Sequence, residues 1–296
     1  MNGLILFYDS QWGVRPNVPP SLPDRFQVTF DRTRYAQAGA VVFHLPTWKW
    51  RRWLGMPPKL PGQLWIAWTQ ESDENYPYQR DPEWMSRFDF RMTYQSDADV
   101  FLPYCAFSDL EDIRQLFCRP PQPKLNTPLV AMVISSRINA SKRFDYLREL
   151  ARYLPIDSYG KFMRNNWIAN DRGGDSKREI YARHKFAIAF ENACDQDYVT
   201  EKFYDPLIAG TVPVYLGAPN IDQFAPGDHC FINAAQSSPR ILAEYLNSLA
   251  HDDTAYNTFF EWKQKPLREN FTKLIKDQSV HWLVRLCLCI QSRLML

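Results

Sequence analysis

The polar residues with the most distinctive chemistry in this sequence lie together in one short segment. Glu191 and Asn192 come first, and Tyr198, Glu201 and Lys202 follow after a polar gap. A lysine in the first turn of a helix opposes the helix dipole unless an anion lies close to it. The carboxylate beside it can accept hydrogen bonds from ribose hydroxyls, and the tyrosine can stack on a ligand or hydrogen bond to it. This combination indicates a site for a nucleoside diphosphate.

The spacing around these residues predicts a strand, a loop, a helix and a second strand. Apolar residues alternate over 186–190, as in a buried strand, and recur at helical spacing over 199–208. Gly210 suits the end of that helix, and 211–216 are typical of the next strand. Ligands of parallel sheets bind beyond the carboxyl ends of the strands, where helix N-termini offer free backbone amides. The sequence therefore places the polar residues at the ligand-binding edge of a parallel sheet.

Two observations leave this interpretation open. Glu201 and Lys202 would also be ordinary as solvated residues on the exposed face of a helix. Pro206 lies inside the predicted helix, where a proline should kink the helix or force it to restart. Spacing alone does not separate a ligand site from a solvated helix start.

The segment FENACDQDYVTEK, residues 190–202, resembles the donor-binding signature of the α1,3/α1,4-fucosyltransferases, which form glycosyltransferase family 10. Members carry a pattern close to FENS followed, after a short gap, by DYVTEK or DYITEK. This chain has Ala193 where serine is usual. The resemblance implies that GDP-fucose is the donor. The implied donor-binding residues of this segment are Asn192, Tyr198, Glu201 and Lys202, with Glu191 as a further candidate.

The resemblance runs approximately from residue 38 to residue 290 and implies an α/β fold of the GT-B class. In that fold, two Rossmann-like domains face each other across a cleft. A Pro-rich stretch, 119–128, is the predicted linker between them. The expected parts are an acceptor-binding domain with the general base over 1–125, a GDP-fucose-binding domain over 126–275 and a C-terminal helical tail over 276–296.

A carboxylate follows the predicted strand 64–69 and is a candidate general base. The segment GQLWIAWTQES, which ends at Ser72, is similar to the family segment GQxWVWxxMES, whose glutamate takes the proton of the acceptor hydroxyl. The matching residue is Glu71. Inverting glycosyl transfer needs such a base, because the acceptor oxygen loses its proton as it attacks. Asp73 replaces the family proline, and a turn glutamate without a catalytic role is the alternative interpretation.

Residues 88–104 resemble a second family segment, which has a TYRRDSDI-like core and ends in PYG. Gln95 stands in place of the usual arginine, and Cys105 in place of the glycine. The resemblance suggests Tyr94 as a residue that could approach the fucose. A tyrosine buried on a strand is the alternative.

A helix is predicted over 141–154, with Ser141 as its N-cap and basic residues in its first turn. Family members place an arginine on the donor diphosphate here, which implies that role for Arg143. Arginine suits phosphate because its planar guanidinium can bind two oxygens at once. Lys142 is the neighbouring alternative, and a solvated basic helix start is a third interpretation.

Composition and charge limit the class of protein. The 296 residues suffice for two domains, and 45% hydrophobic and 23% charged residues are ordinary for a globular protein. A net charge of +2 argues against nucleic acid as a partner. No acidic pair lies in the predicted donor loop, so we expect no metal site and no required cofactor, although a divalent ion could stimulate turnover. We expect Arg143 and Lys202 to stabilise the leaving diphosphate instead.

Cysteine usage and hydropathy bear on the compartment. None of the six cysteines forms a CxxC pair, and no Cys/His cluster has the spacing of zinc ligands, which favours a reducing compartment. The sequence shows no signal peptide and no stretch that could span a bilayer. We therefore expect a soluble, bacterial-type, cytoplasmic member of the family. The tail 280–296 is expected to pack across the domains, and weak contact with the inner face of an anionic membrane is the alternative.

The expected reaction is an inverting transfer of L-fucose from GDP-β-L-fucose to a GlcNAc hydroxyl, with O3 as the expected position. The product would carry an α1,3 or α1,4 linkage on an oligosaccharide or glycan of the Lewis, N-acetyllactosamine or N-glycan type. Another nucleotide sugar as donor is the alternative within the same class. A carbohydrate-binding protein that kept the fold without turnover is the alternative from another class.

Overall fold

The chain forms two compact units, each built on a parallel β-sheet. Unit 1 comprises residues 1–106 and 278–296, and unit 2 comprises residues 107–277. The structure is a computed structural model, and the residues it describes are 3–23, 25–49, 55–105, 110–124 and 128–294.

Unit 1 contains a sheet of six parallel strands. Its elements in chain order are β1 Leu4–Phe7, β2 Gln27–Thr29, β3 Ala40–His44, β4 Leu64–Trp68, α1 Pro82–Met85, β5 Phe90–Thr93 and β6 Val100–Phe101. The strands lie in the order β2-β1-β3-β4-β5-β6, so the direction in which the sheet grows reverses between β1 and β3. Ligands of open α/β sheets bind at such a switch point, beyond the carboxyl ends of the strands.

The central strands of unit 1 are almost continuously apolar because both faces of the sheet are covered. On β3, Val42 packs in one buried cluster, while Val41 and Phe43 pack in another. On β4, Ile66 and Trp65 divide between the same two clusters. The strand predicted over 64–69 is confirmed to within one residue at its C-terminal end.

Unit 2 contains a five-stranded parallel sheet with helices around it. Its elements are α2 Leu110–Phe117, β7 Val130–Met132, α3 Arg143–Leu150, β8 Ile156–Ser158, α4 Gly174–Arg183, β9 Phe186–Phe190, α5 Glu201–Ile208, β10 Val212–Leu216, β11 Ile232–Asn233, α6 Pro239–His251, α7 Asp253–Thr258 and α8 Glu269–Asp277. The order β11-β10-β9-β7-β8 puts the switch point of this sheet between β7 and β9.

The strand–loop–helix–strand unit predicted around the polar segment is confirmed as β9, α5 and β10. Phe186 lies opposite Val212 and Phe190 opposite Leu216, so the two strands end together. Gly210 follows α5 with a left-handed φ of 68°, which suits glycine at a helix end. The loop after β9 therefore begins at the carboxyl edge of the sheet, as the sequence predicted.

Helix α9, Trp282–Leu294, belongs to unit 1. Leu283, Leu286 and Ile290 are buried in the same cluster as β1, β3 and β4, and the Trp282 ring stacks on Trp68 with centroids 6.3 Å apart. The apolar stripe of the tail is thus used for packing, and membrane contact through it stays a prediction. Within the described ranges, no helix has both the length and the apolar character needed to cross a bilayer.

Two local predictions in unit 2 were wrong. Ser141 is not the N-cap of α3, since Lys142 holds that position with a left-handed φ of 59°. Helix α5 continues through Pro206, because this proline lies near its C-terminal end and removes a single helical hydrogen bond.

Candidate active site

Glu191, the first residue after β9, connects the end of the sheet to the start of α5. Its side chain is fully buried, and its backbone N–H donates to the Leu216 carbonyl at 2.7 Å. The Glu191 carboxylate accepts from the Thr200 backbone N–H at 2.7 Å and from the Thr200 hydroxyl at 2.9 Å. Thr200 is also the N-cap of α5, where its hydroxyl accepts from the Lys202 N–H. The buried Glu191 carboxylate therefore fixes the start of α5 through its hydrogen bonds with Thr200.

Gly217 allows the chain after β10 to approach this carboxylate closely. A Cβ atom at position 217 would lie 2.6 Å from the Glu191 Cγ and 2.4 Å from the Tyr215 hydroxyl. The Tyr215 hydroxyl accepts from the Ala218 backbone N–H at 2.9 Å, which holds the turn in place. No side chain fits at position 217 without movement of these groups.

The Lys202 side chain lies among three oxygen acceptors at the N-terminus of α5. Its Nζ atom is 3.0 Å from the Thr200 hydroxyl, 3.2 Å from Glu201 Oε1 and 3.4 Å from Glu191 Oε2. Burial lowers the pKa of Lys202, but the charges of Glu191 and Glu201 outweigh burial and raise it above the usual range. The lysine is therefore a cation at physiological pH, held 22% exposed at the ligand edge of the sheet.

The two carboxylates beside Lys202 differ in their environments. Burial, together with the charge of Glu201, raises the pKa of Glu191, against the opposing effects of Lys202 and of the Thr200 hydrogen bonds. Partial burial raises the pKa of Glu201, but Lys202 and Lys177 outweigh it and lower the pKa below the usual range. Glu201 keeps 46% of its side chain exposed. An ionised, accessible acceptor at a helix start can bind hydroxyl groups of a ligand.

Asn192 and Tyr198 flank this cluster and are both buried. The Asn192 carbonyl accepts from the Ser141 N–H at 3.0 Å, which ties the loop after β9 to the start of α3. Tyr198 is 2% exposed, so its ring offers no open face for stacking. Ligand contacts by either residue stay predictions.

Arg143 is also buried, and its guanidinium is bonded to the main chain. It donates to the Phe190 carbonyl at 2.8 Å and to the Ile138 carbonyl at 3.1 Å, so it joins the loop after β7 to the end of β9. Burial lowers its pKa, while the charge of Glu191 opposes that change. Lys142 is exposed at the same helix start. A diphosphate contact by Arg143 or Lys142 stays a prediction.

Residues that the sequence analysis did not single out complete the charges around α5. Lys177 of α4 places its Nζ atom 2.5 Å from Asp205 Oδ2 and 3.9 Å from Glu201 Oε1. Arg178 lies 3.3 Å from the other oxygen of Asp205. No signal in the sequence pointed to Lys177, because its partners Asp205 and Glu201 lie on another helix. Thr200 was detectable, since threonine before a charged helical turn is a common N-cap.

In unit 1, Glu71 lies in the turn that follows β4. Its backbone N–H donates to the Thr69 hydroxyl at 3.0 Å, which closes a tight turn at the end of the strand. Burial and then the negative charge of Glu71 raise the pKa of Tyr76 to about 12, so the carboxylate lies within electrostatic reach of that phenol. The carboxyl edge of the sheet is where the general base was predicted, and its catalytic role stays a prediction.

The turn that carries Glu71 is fastened to the end of β5. The Asp73 N–H donates to the Tyr94 hydroxyl at 3.3 Å, and the Gln95 amide donates to the Asp73 carboxylate at 3.0 Å. Asp73 and Gln95 are two of the departures from the family pattern, and they contact each other. Tyr94 is 1% exposed, which fits the alternative of a buried tyrosine, and a contact with fucose stays a prediction.

A cavity of about 550 Å³ lies at the switch point of unit 1, between the ends of β1 and β3. Trp12, 58% exposed, forms part of its wall on a tight turn with a left-handed φ of 51°. Asp9 is buried and also lines the cavity, and its carboxylate accepts from Arg32 at 3.1 Å. Tyr76, whose pKa is raised in part by the charge of Glu71, lines the same cavity. An aromatic wall beside hydrogen-bonding groups suits a sugar or another polar ligand.

Among the residues that the structure describes, no group of three or more His, Cys, Asp or Glu side chains is placed to hold a metal ion. The expectation that the reaction needs no metal stays a prediction.

Models of known families match almost the whole chain. The fucosyltransferase N-terminal model matches residues 2–105, and the C-terminal model of glycosyltransferase family 10 (fucosyltransferase) matches residues 123–294. These matches cover both units.

Curated relatives agree with the family models. The chain is 32% identical over 222 residues to alpha-(1,3)-fucosyltransferase B of Drosophila melanogaster, across 70% of this chain and 50% of that protein. It is 34% identical over 239 residues to GDP-fucose protein O-fucosyltransferase 3 of Rattus norvegicus, across 76% of this chain and 49% of that protein. The chain thus spans about half the length of these relatives.

Solved structures confirm the fold. The crystal structure of an alpha1,3-fucosyltransferase matches with a TM-score of 0.58 at 15% identity, over 90% of this chain and 82% of that chain. The alpha1,3-fucosyltransferase structure with GDP-fucose matches with a TM-score of 0.55 at 14% identity, over the same shares. The predicted GT-B class with two Rossmann-like domains is confirmed. From the family models and the curated relatives together, the chain belongs to glycosyltransferase family 10, the fucosyltransferases.

Proposed function

We propose that this protein transfers L-fucose from GDP-β-L-fucose to a GlcNAc hydroxyl of a glycan, with inversion, to give an α1,3 or α1,4 linkage. One observation carries the donor part of this proposal. Lys202 is held as a cation at the N-terminus of α5, next to the switch point of its sheet, with Thr200 and Glu191 fixing its position. Helix N-termini at such points bind the phosphates of nucleotides.

When the donor binds, its diphosphate would replace the glutamate carboxylates as the main partner of the Lys202 ammonium group. A diphosphate carries more negative charge than either glutamate, and charge-assisted bonds to phosphate are strong, so the Nζ atom turns towards it. Glu201, which is ionised and half-exposed, accepts hydrogen bonds from the ribose hydroxyls. Asn192 and Tyr198 shape the floor of the site. Lys202 also stabilises the diphosphate when the bond to the sugar breaks.

Glu71 acts as the general base in the proposed mechanism. The acceptor oxygen attacks C1 of fucose from the face opposite to the diphosphate, its proton passes to the Glu71 carboxylate, and the bond from C1 to the β-phosphate oxygen breaks. The turn bonds through Thr69 and Asp73 hold Glu71 at the edge of unit 1. The cavity beside Tyr76 and Trp12 is the proposed acceptor site.

A second acceptor class is favoured by one of the comparisons. The relative from Rattus norvegicus is a GDP-fucose protein O-fucosyltransferase, so a hydroxyl of a protein side chain is the alternative acceptor. The chemistry is the same, because a base takes a proton from a hydroxyl in either case. The cavity of about 550 Å³ accommodates a sugar ring or an extended side chain.

The test is a transfer assay with the full chain, GDP-fucose and two sets of acceptors, glycans that end in GlcNAc or N-acetyllactosamine and folded protein domains. Products are identified by mass spectrometry, and released GDP is measured in parallel. Fucose on a GlcNAc hydroxyl supports the proposal, and fucose on protein hydroxyls alone supports the second class. Glycan binding without GDP release under any condition would make the chain a carbohydrate-binding protein and refute the proposal.

A further inference from the structure

Six charged side chains on α4, on α5 and in the loop after β9 alternate in sign. The separations between successive members are 3.3, 2.5, 3.9, 3.2 and 3.4 Å, and no cation in the series lies next to another. The series runs Arg178, Asp205, Lys177, Glu201, Lys202, Glu191. Arg178 also lies 2.6 Å from Asp175 Oδ1, outside this series.

Lys177 is the member that connects a structural ion pair to the proposed donor site. Its Nζ atom lies 2.5 Å from Asp205 Oδ2, and Asp205 is buried and is also held by Arg178. The same Nζ atom lies 3.9 Å from Glu201 Oε1. Lys177 is itself only 17% exposed, so its position is set by packing between the two helices. Its ammonium group is therefore a fixed positive charge behind Glu201.

Glu201 has two cations nearby in this structure, Lys202 at 3.2 Å and Lys177 at 3.9 Å. In the proposed function, Lys202 turns towards the diphosphate when the donor binds. Its bond to Glu201 Oε1 is then weakened, because the Nζ atom moves away from Glu201 towards the stronger negative charge of the diphosphate. Lys177 cannot follow, since Asp205 holds it.

We propose that Lys177 is a positioning residue for the donor: it holds the Glu201 carboxylate, ionised and oriented, for the ribose hydroxyls while Lys202 neutralises the diphosphate. This inference rests on the proposed function, in which Glu201 binds the ribose. It gives the two lysines separate tasks, one for the phosphates and one for the nucleoside. The selectivity for a ribose with free hydroxyls then depends on a residue that does not touch the ligand.

The whole chain of 296 residues and two nucleotides test this proposal. Calorimetry measures the Kd of GDP and of 2′,3′-dideoxy-GDP, which keeps the base and the diphosphate and lacks the ribose hydroxyls. Wild type should prefer GDP by about 10- to 100-fold, the usual worth of hydrogen bonds to a charged group. Lys177→Met should lose most of that preference through weaker GDP binding, while the Kd of the dideoxy nucleotide stays within about twofold.

Two further variants separate positioning from a general effect on the fold. Arg178→Met is the matched control, because Arg178 also contacts Asp205 and makes no contact with Glu201, and it should keep the full preference for GDP. Lys177→Arg keeps the charge and should restore most of the preference. If Lys177→Met melts well below wild type, Lys177→Gln is measured in its place and judged by the same ratio of Kd values.

The proposal is overturned if Lys177→Met prefers GDP over the dideoxy nucleotide as strongly as wild type does. It is also overturned if Arg178→Met loses as much of this preference as Lys177→Met. Glu201→Gln distinguishes this failure from failure of the proposed function. If Glu201→Gln loses the preference and Lys177→Met keeps it, Glu201 binds ribose without help from Lys177. If Glu201→Gln keeps the preference, the ribose assignment itself is wrong, and the positioning role falls with it.

Discussion

Replacement of Lys202 by methionine is expected to destabilise unit 2, because it removes the cation that is ion-paired with the buried Glu191 carboxylate. The Nζ atom of Lys202 lies 3.4 Å from Glu191 Oε2, and the Glu191 side chain is fully enclosed. Two unit charges at that distance attract by about 5 kcal/mol at an effective dielectric constant of about 20. Removal of one partner of a buried pair costs about 3–5 kcal/mol. We expect the lower end, about 3 kcal/mol, because Thr200 still donates to Glu191.

The double variant Glu191→Gln/Lys202→Met is the control for this reasoning. It removes both charges, and the glutamine oxygen can still accept from the Thr200 N–H. Since replacement of a whole buried pair is often close to neutral, the double variant should recover at least half of the stability that Lys202→Met loses. Such a recovery would show that Lys202→Met loses stability because Glu191 has lost its paired charge, and not because the packing of the lysine side chain is lost.

The pH dependence of the single variant has a defined sign. Burial already raises the pKa of Glu191 above its usual 4.5, and loss of Lys202 raises it further. The folded state then binds a proton more tightly than the unfolded state, so stability falls as pH rises above 4.5 towards the raised pKa. The difference between Lys202→Met and wild type should be small in acid and should grow towards neutral pH.

Urea unfolding, followed by far-UV circular dichroism at several pH values, measures these free energies for the three proteins. The reasoning is refuted if Lys202→Met matches wild type at neutral pH. It is refuted as well if the double variant is no more stable than the single variant, or if the loss of stability does not depend on pH.

Three further outcomes are expected. Glu71→Gln should lower kcat by roughly 10²–10⁴-fold and leave the Kd of GDP unchanged, and retention of more than a tenth of the activity would point to Glu74 or Asp73 as the base. Turnover should persist in EDTA, since Lys202 stands beside the proposed diphosphate site, and full loss that Mn²⁺ restores would contradict this. Gly217→Ala should destabilise the fold by about 1–3 kcal/mol in thermal unfolding and weaken GDP binding, because its Cβ would meet Glu191. Gly174→Ala, whose Cβ would meet only the end of the Arg178 side chain, is its control.

The sequence was sufficient for the elements around the ligand edge of unit 2. The alternation over Phe186–Phe190, the helical spacing after Thr200 and the glycine at 210 are local patterns. Each is determined by the dihedral preferences and the burial of residues within one short window, so each can be read without knowledge of the fold. Long motifs such as FENACDQDYVTEK and GQLWIAWTQES were sufficient for the family.

Other features depended on contacts between residues far apart in the chain. Arg143 is typical of a solvated or ligand-binding helix start, yet its guanidinium is buried on carbonyls after β7 and at the end of β9. Asp73 and Gln95 are separate departures from the family pattern in the sequence, and they form one hydrogen bond in the fold. Helix α9 returns to unit 1 after the whole of unit 2.

Lys177 is the clearest example of a feature that depends on contacts between residues far apart in the chain. Its partners, Asp205 and Glu201, lie on another helix, and a charged residue in a polar segment is most often solvated. Local propensities set the period and the ends of α4 and α5, but they do not set which faces of the two helices meet. That choice is made by packing on the sheet. Packing therefore decided which charges are neighbours, and the sequence alone determined only where the strands, the helices and the family motifs lie.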